Sequence, residues 1–354
     1  MLGSLIPFWR RAGRGMLLLI GSMVGVATVA GDEPRLTELR PPQEVLGPEA
    51  VPVLLDERGA GEGPAWDPQW GLLTSGEGHI FRRSRTCELT VFRRDAGSNG
   101  LLFDRQGRLL ICEPVRRRVT RLDRDGTLTV LAERFEGKRF NQPNDLALDS
   151  KGRIYFSDPV YGGRRDLEMY DNDGRLVEGV YRIDPDGTVH RVIAHEVDRP
   201  NGLAVSLDDR FLYVADNNND TVGGARKLWR FSLRPDGSVD TQSRTLVYDW
   251  HHTRGPDGMK WDASGRLFVA AGRNRPRPPY EVQEQPTAGI YVFSPEGKLL
   301  TVVRIERDET TNCAFGGDDL RTVFVTAGGT LWSFRVNVTG RPPWPPLADR
   351  GDGN

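Results

Sequence analysis

Residues 199–216 read RPNGLAVSLDDRFLYVAD, and this phrase decides the fold because it returns, altered but recognisable, along the whole chain. The other copies are GEGPAWDPQWGLLTSG from Gly61, SNGLLFDRQGRLLICEP from Ser98, QPNDLALDSKGRIYFSDP from Gln142, GPDGMKWDASGRLFVAAG from Gly255 and TNCAFGGDDLRTVFVTAG from Thr311. All share one grammar: a polar residue beside Gly or Pro, a short apolar strand, a polar turn, and a second apolar strand of alternating character. It is a hairpin with a marked entrance. With the entrance residues taken as Glu62, Asn99, Asn144, Asn201, Asp257 and Asn312, the intervals are 37, 45, 57, 56 and 55 residues. A period of that size, with no long amphipathic helix between copies, predicts an all-β chain whose small antiparallel sheets repeat radially and so hide their edges. Six copies predict a six-bladed β-propeller.

A second phrase lies between the entrances: RLDRDGTLTVL from Arg121, YRIDPDGTVHRV from Tyr181, WRFSLRPDGSVD from Trp229 and YVFSPEGKLLTVV from Tyr291. Asp-Gly and Glu-Gly between apolar runs are hairpin turns, because Gly accepts the positive φ that a tight turn needs. These hairpins supply the outer strands of the blades. The DxDG pattern at Asp123 and Asp184 lacks the later ligands and flanking helices of a calcium loop, so it too reads as a turn.

The propeller is placed at residues 51–337. VPVLL from Val51 precedes the first full repeat, and LWSFRV from Leu331 is its natural partner for closing the ring. Residues 31–50, rich in Pro and acids and without periodicity, read as a linker, and residues 338–354 as a Pro-rich tail without structure. Residues 1–30 carry Arg10, Arg11 and Arg14 ahead of the apolar run MLLLIGSMVGVATVA, which is short for a membrane span and ends in small residues. This predicts a signal peptide, an exported (periplasmic or secreted) protein, and no stable membrane insertion after cleavage. The residues after Arg10 and Arg11 stay non-apolar as far as Gly15, which argues against a twin-arginine signal.

The 354 residues carry 48 basic and 49 acidic side chains, a net charge of −1, which offers no electrostatic footprint for nucleic acid. Three cysteines, Cys87, Cys112 and Cys313, leave at least one unpaired, and two of them sit inside apolar strand phrases. They read as inert buried thiols rather than as a disulfide framework. No Cys and His spacing resembles a zinc site, and there is no GxSxG elbow, P-loop or GxGxxG opening a helix.

The chemistry is therefore sought at the entrances. In a radial fold, equivalent positions at the start of each innermost strand meet around one central channel. Glu62 and Asp257 bring two carboxylates to it, and Asn144 and Asn201 two amide carbonyls. An all-oxygen set of about two negative charges suits a hard divalent cation, Ca²⁺ first, with Mg²⁺, Mn²⁺ or Zn²⁺ as alternatives. An isolated PNG or PDG is ordinary turn chemistry. The same phase filled in this way across a repeat points instead to a shared site. Asn99 and Asn312 share the phase and are read as turn or supporting residues.

The sequence resembles the gluconolactonase and regucalcin (senescence marker protein) family of six-bladed β-propellers, in EGPAWD at Glu62, PNDLALDSKGRIYFSDP at Pro143 and the copies quoted at Arg199, Gly255 and Thr311. The resemblance covers residues 51–336. It implies a divalent metal at the channel mouth held by Glu62, Asn201 and Asp257, with Asn144 as ligand or substrate contact. It also implies hydrolysis of a small-molecule sugar lactone, with Asp257 transferring the proton. Two positions depart from the pattern. The strand after EGP reads LLTSGEGHIF, without the family's frequent Asp, and Gln142 stands where the regucalcin branch carries Arg. Related metal propellers cleave phosphotriesters, and an exported propeller can also bind a glycan or protein without catalysis. His251 and His252 are secondary candidates for taking the proton. The charged stretches from Tyr161 to Val180 and from Gly272 to Gln285 are expected at the rim.

Overall fold

The computed structural model describes residues 39, 42–282 and 287–342. The signal-peptide expectation at residues 1–30 lies outside them. The described chain forms six four-stranded antiparallel sheets and one two-stranded hairpin, Arg134–Phe135 with Lys138–Arg139. No described residue is helical, so the all-β expectation holds, and the sheets follow one another as the blades of a propeller.

The innermost strands are Glu62–Asp67, Leu101–Phe103, Leu146–Leu148, Pro200–Val205, Pro256–Trp261 and Thr310–Gly316, in blades 1 to 6. Each pairs with the second strand of its own repeat, as Leu203 with Val214 in blade 4. The DG turns close outer hairpins as expected. Thr127 N donates to Asp125 Oδ1 at 2.9 Å, and Asp123 N to Thr127 O at 2.9 Å, while Gly126 takes φ +89°.

The ring closes between its two ends. Val53–Ala60 pairs with Gly329–Arg335, setting Val53 opposite Ser333 and Leu54 opposite Trp332, so the sixth blade takes its outermost strand from the start of the chain. Strand pairing between the two ends of the chain thus closes the seam.

Buried apolar side chains fill the spaces between sheets. Phe140, Phe156 and Tyr181 pack with ring centroids 5.0–5.5 Å apart, at separations favourable for aromatic pairs. Cys112 and Cys313 are buried in two such clusters, and burial raises both thiols, Cys313 to about 12. Cys87 is exposed.

The segments beside the propeller take more part in it than composition suggests. Within the expected linker, Val45 and Leu46 are buried against Phe315, Phe334 and Val336, and Asn337 N donates to Val45 O at 2.9 Å. The first residues of the expected tail are bonded too: Ala263 N donates to Thr339 O, Gly340 N to Leu320 O and Arg341 N to Trp261 O, at 2.8–3.0 Å. Two apolar side chains, or three backbone bonds, fix such a segment without any periodic pattern to announce it.

Candidate functional site

A glycine follows the entrance residue in most copies, and the structure gives the reason. A Cβ on Gly63 would stand 2.2 Å from Asn99 O, one on Gly100 2.5 Å from Asn144 O, and one on Gly202 2.0 Å from Asp257 O. Each glycine is a slot for the backbone of the next blade's entrance, and these slots draw the entrance residues together. Across the seam, Thr311 Oγ1 donates to Gly61 O at 2.8 Å.

In blade 3 the slot position is Asp145. Its carboxylate is buried and accepts from Leu146 N at 2.9 Å, and Asn312 Nδ2 lies 3.5 Å from Asp145 Oδ2 and 3.5 Å from Glu62 Oε2. Asn312 thus stands between two carboxylates, which gives it a supporting role. Lys260 Nζ, 3.5 Å from Asn312 Oδ1, adds a positive charge that acts on Asp145.

Acids at the ends of the second strands hold the loops that lead to the entrances. Asp158 accepts from Asn141 N and Gln142 N at 2.8 Å, just ahead of Asn144. Asp216 accepts from Asp198 N at 3.1 Å, Arg199 N at 2.9 Å and Trp229 Nε1 at 3.0 Å, just ahead of Asn201. In blade 1, where that acid is missing, Ser75 Oγ lies 2.7 Å from Ser98 Oγ instead.

Asn144, Asn201 and Asp257 are buried and Glu62 is half-buried. Asn201 Nδ2 donates to Tyr161 OH at 2.9 Å, which turns its carbonyl oxygen the other way. Asn217 Nδ2 lies 3.4 Å from Asp257 Oδ2, while Asp257 Oδ1 is buried with no partner among the described residues. Arg254 reaches Glu309 at 2.5 Å and Glu281 at 3.2 Å beside the site.

The carboxylates are electrostatically frustrated. Burial, then the charge of Asp145, pushes the Glu62 carboxyl up to about 8, against the opposing Gly63 N–H and Asn312 amide. Burial, then Glu62 and Glu309, raises Asp257 well above the usual range, with Arg254 opposing. Burial also raises Asp145, opposed chiefly by Lys260. Negative charges packed this closely in a buried site favour either a proton or a cation.

The donor chemistry fits a hard cation. Among the described residues, no group of three or more His, Cys, Asp or Glu is arranged to hold an ion unaided. A cation here would share the carboxylates of Glu62 and Asp257 with the amide oxygens of Asn201 and Asn144, and the orphaned Asp257 Oδ1 is an oxygen that such an ion would satisfy.

With this geometry in place, comparison with known proteins is informative. A family model described as SMP-30/Gluconolactonase/LRE-like region matches residues 60–329. The chain belongs to this family. A gluconolactonase of Zymomonas mobilis is 31% identical over 256 residues, which are 70% of this chain and 65% of that protein. A regucalcin of Xenopus laevis is 30% identical over 207 residues, 57% of this chain and 60% of that protein. The match therefore spans just under two thirds of these relatives' own length. The solved structure of a gluconolactonase from Xanthomonas campestris superposes with a TM-score of 0.70 at 29% identity, covering 86% of this chain and 95% of that one.

Sequence reasoning missed Asp145, Tyr161, Arg254 and Glu309. Asp145 had a visible signal, since it replaces the Gly found at that phase in most copies. Tyr161 opens the charged stretch expected at the rim, yet it is packed against Asn201, and its N–H donates to Gln142 Oε1 at 2.5 Å. Gln142, the departure noted above, thus positions Tyr161. His251 and His252 are exposed, and no described bond joins them to an entrance residue.

Proposed function

We propose that this protein is a metal-dependent hydrolase that opens a sugar lactone. The observation that carries the reading is the pair Glu62 and Asp257, two carboxyls held at one mouth in a field that disfavours their charge, with Asp257 Oδ1 left unbonded. A site that only binds a glycan or protein has no use for that arrangement. Family membership supplies the chemical class.

A divalent cation, Ca²⁺ first, would polarise the lactone carbonyl and lower the pKa of water beside it. The protein's own part is positional and proton-handling. Glu62, Asn201 and Asp257 would hold the ion, and the buried Asn144 would hold it or orient the substrate. Asp257, raised by burial and by Glu62, takes the proton of the attacking water. Tyr161 accepts from Asn201 Nδ2 and so leaves the Asn201 carbonyl oxygen available to such an ion. Residues 1–30 serve export, which places the enzyme in the periplasm or outside the cell.

The test is hydrolysis of a panel of aldonolactones and one phosphotriester by the purified protein, before and after EDTA and with single metals added back. Lactone turnover lost with EDTA and restored by one ion is the expected result. Turnover confined to the phosphotriester, or none from folded protein with metal bound, contradicts it.

A further inference from the structure

The far end of the same channel carries a second, unassigned cavity. It measures about 1090 Å³ and is walled by the ends of the innermost strands, the turns that follow them, and residues 339–342. Trp66, Trp261, Leu148 and Phe315 make much of the wall apolar. That volume lies just above the usual range for small-molecule sites, about 300–1,000 Å³.

Its charges do not cancel. The wall carboxylates are already engaged: Asp67 by Arg124, Asp149 by Arg153 and Asp318 by Arg85. Arg105 and Arg341 also line the cavity, and no described carboxylate comes within ion-pair distance of either. Arg105 follows the turn Asp104, where the other copies carry Pro68, Ser150, Leu207, Ala263 and Gly317, so the repeat does not require a cation there. Arg341 is held over the cavity by its backbone bond to Trp261 O at 3.0 Å. Burial, with Arg105 adding to it, lowers its pKa below the ordinary value, while Asp209 and Asp208 oppose. Arg105 Nε and Trp261 Nε1 are buried donors without a partner among the described residues. Two guanidinium groups and unmet donors above an apolar, aromatic wall lack an anion with an apolar body.

We infer that this cavity is a binding site for a small amphipathic anion, an organic acid whose head group meets Arg105 and Arg341 and whose apolar body lies against Trp66 and Trp261. It is separate from the carboxylate mouth and independent of the lactonase reading.

The test is fluorescence titration of the full-length protein with 8-anilinonaphthalene-1-sulfonate, followed by competition with decanoate, decyl phosphate and decyltrimethylammonium below their micellar concentrations. One saturable site is expected, displaced by the two anions and not by the cation, with the tighter competitor naming the head group. The double variant Arg105→Ala/Arg341→Ala should bind at least about tenfold more weakly with lactone turnover unchanged, and Glu62→Gln/Asp257→Asn should keep native affinity for the dye. Leu148→Trp, which fills the cavity and leaves both arginines, should also lose binding. Absence of a saturable site in the native protein, equal displacement by the cation, or native affinity in either the arginine variant or Leu148→Trp overturns the inference.

Discussion

The two mouths of the channel are built from the same six strands and carry opposite chemistry. At the entrance mouth the strands begin with Glu62, Asn144, Asn201 and Asp257, and negative charge is packed until burial and neighbouring acids push Glu62 up to about 8. At the far mouth the strands end in turns whose acids are paired with arginines, while Arg105 and Arg341 have no carboxylate at ion-pair distance among the described residues. The difference shows where a repeat fold keeps function. Turn acids such as Asp149, accepting Lys151 N at 2.9 Å and Arg153 N at 3.0 Å, do structural work and recur. Side chains that break the repeat, at Glu62, Asp257 or Arg105, are those proposed above to meet a ligand.

The largest expected effect separates the mouths most sharply. On the proposed mechanism Asp257→Ala removes both an oxygen ligand and the proton acceptor, so lactone kcat/KM should fall by roughly 10³, with dye binding at the far mouth unaffected. Native turnover in that variant removes Asp257 from the chemistry.

Next comes the slot that brings the entrances together. Gly202→Ala sets a methyl group 2.0 Å from Asp257 O, and should cost about 1–3 kcal/mol in denaturant unfolding while also weakening turnover. Unchanged stability would mean that the blades are not seated against one another as described.

The pH dependence probes the frustrated carboxylates. Glu62 titrates near 8 when folded and near 4.5 when free, so the unfolded chain releases the proton first. The stability contributed by Glu62 in the EDTA-treated protein is therefore fully present below about 4.5 and is lost as pH rises toward 8. Glu62→Gln, neutral throughout, should flatten the fall in Tm over that window, and added Ca²⁺ should oppose it in the native protein. Native stability that rises over the same window contradicts the picture.

The smallest effect concerns Tyr161. Tyr161→Phe loses the bond to Asn201 but keeps the ring, so Ca²⁺ affinity should weaken by about three- to tenfold, the worth of one hydrogen bond, with Tm nearly constant. An unchanged affinity would leave Asn201 oriented by something else.

Much of this was legible in the sequence, for physical reasons. Hairpin turns and the glycine slot impose residue types at fixed phases, so blade number, closure by the strand before Gly61 and the entrance set could be read directly. What composition hid was set by tertiary contact. Val45 and Leu46 anchor a stretch that reads as a linker, and Arg341 is delivered to the far mouth by a stretch that reads as a tail. Tyr161 was concealed inside a charged insertion, because one aromatic contact leaves no periodic trace. Asp145 was readable in principle, as the acid in a slot where most copies show glycine.

The most direct measurement is a titration of metal-stripped protein with Ca²⁺, following bound ion and aldonolactone turnover in the same samples. The account predicts one site whose occupancy and turnover rise together, with both lost in Glu62→Gln/Asp257→Asn. Full turnover by stripped protein, or ion binding that survives loss of both carboxylates, would contradict it.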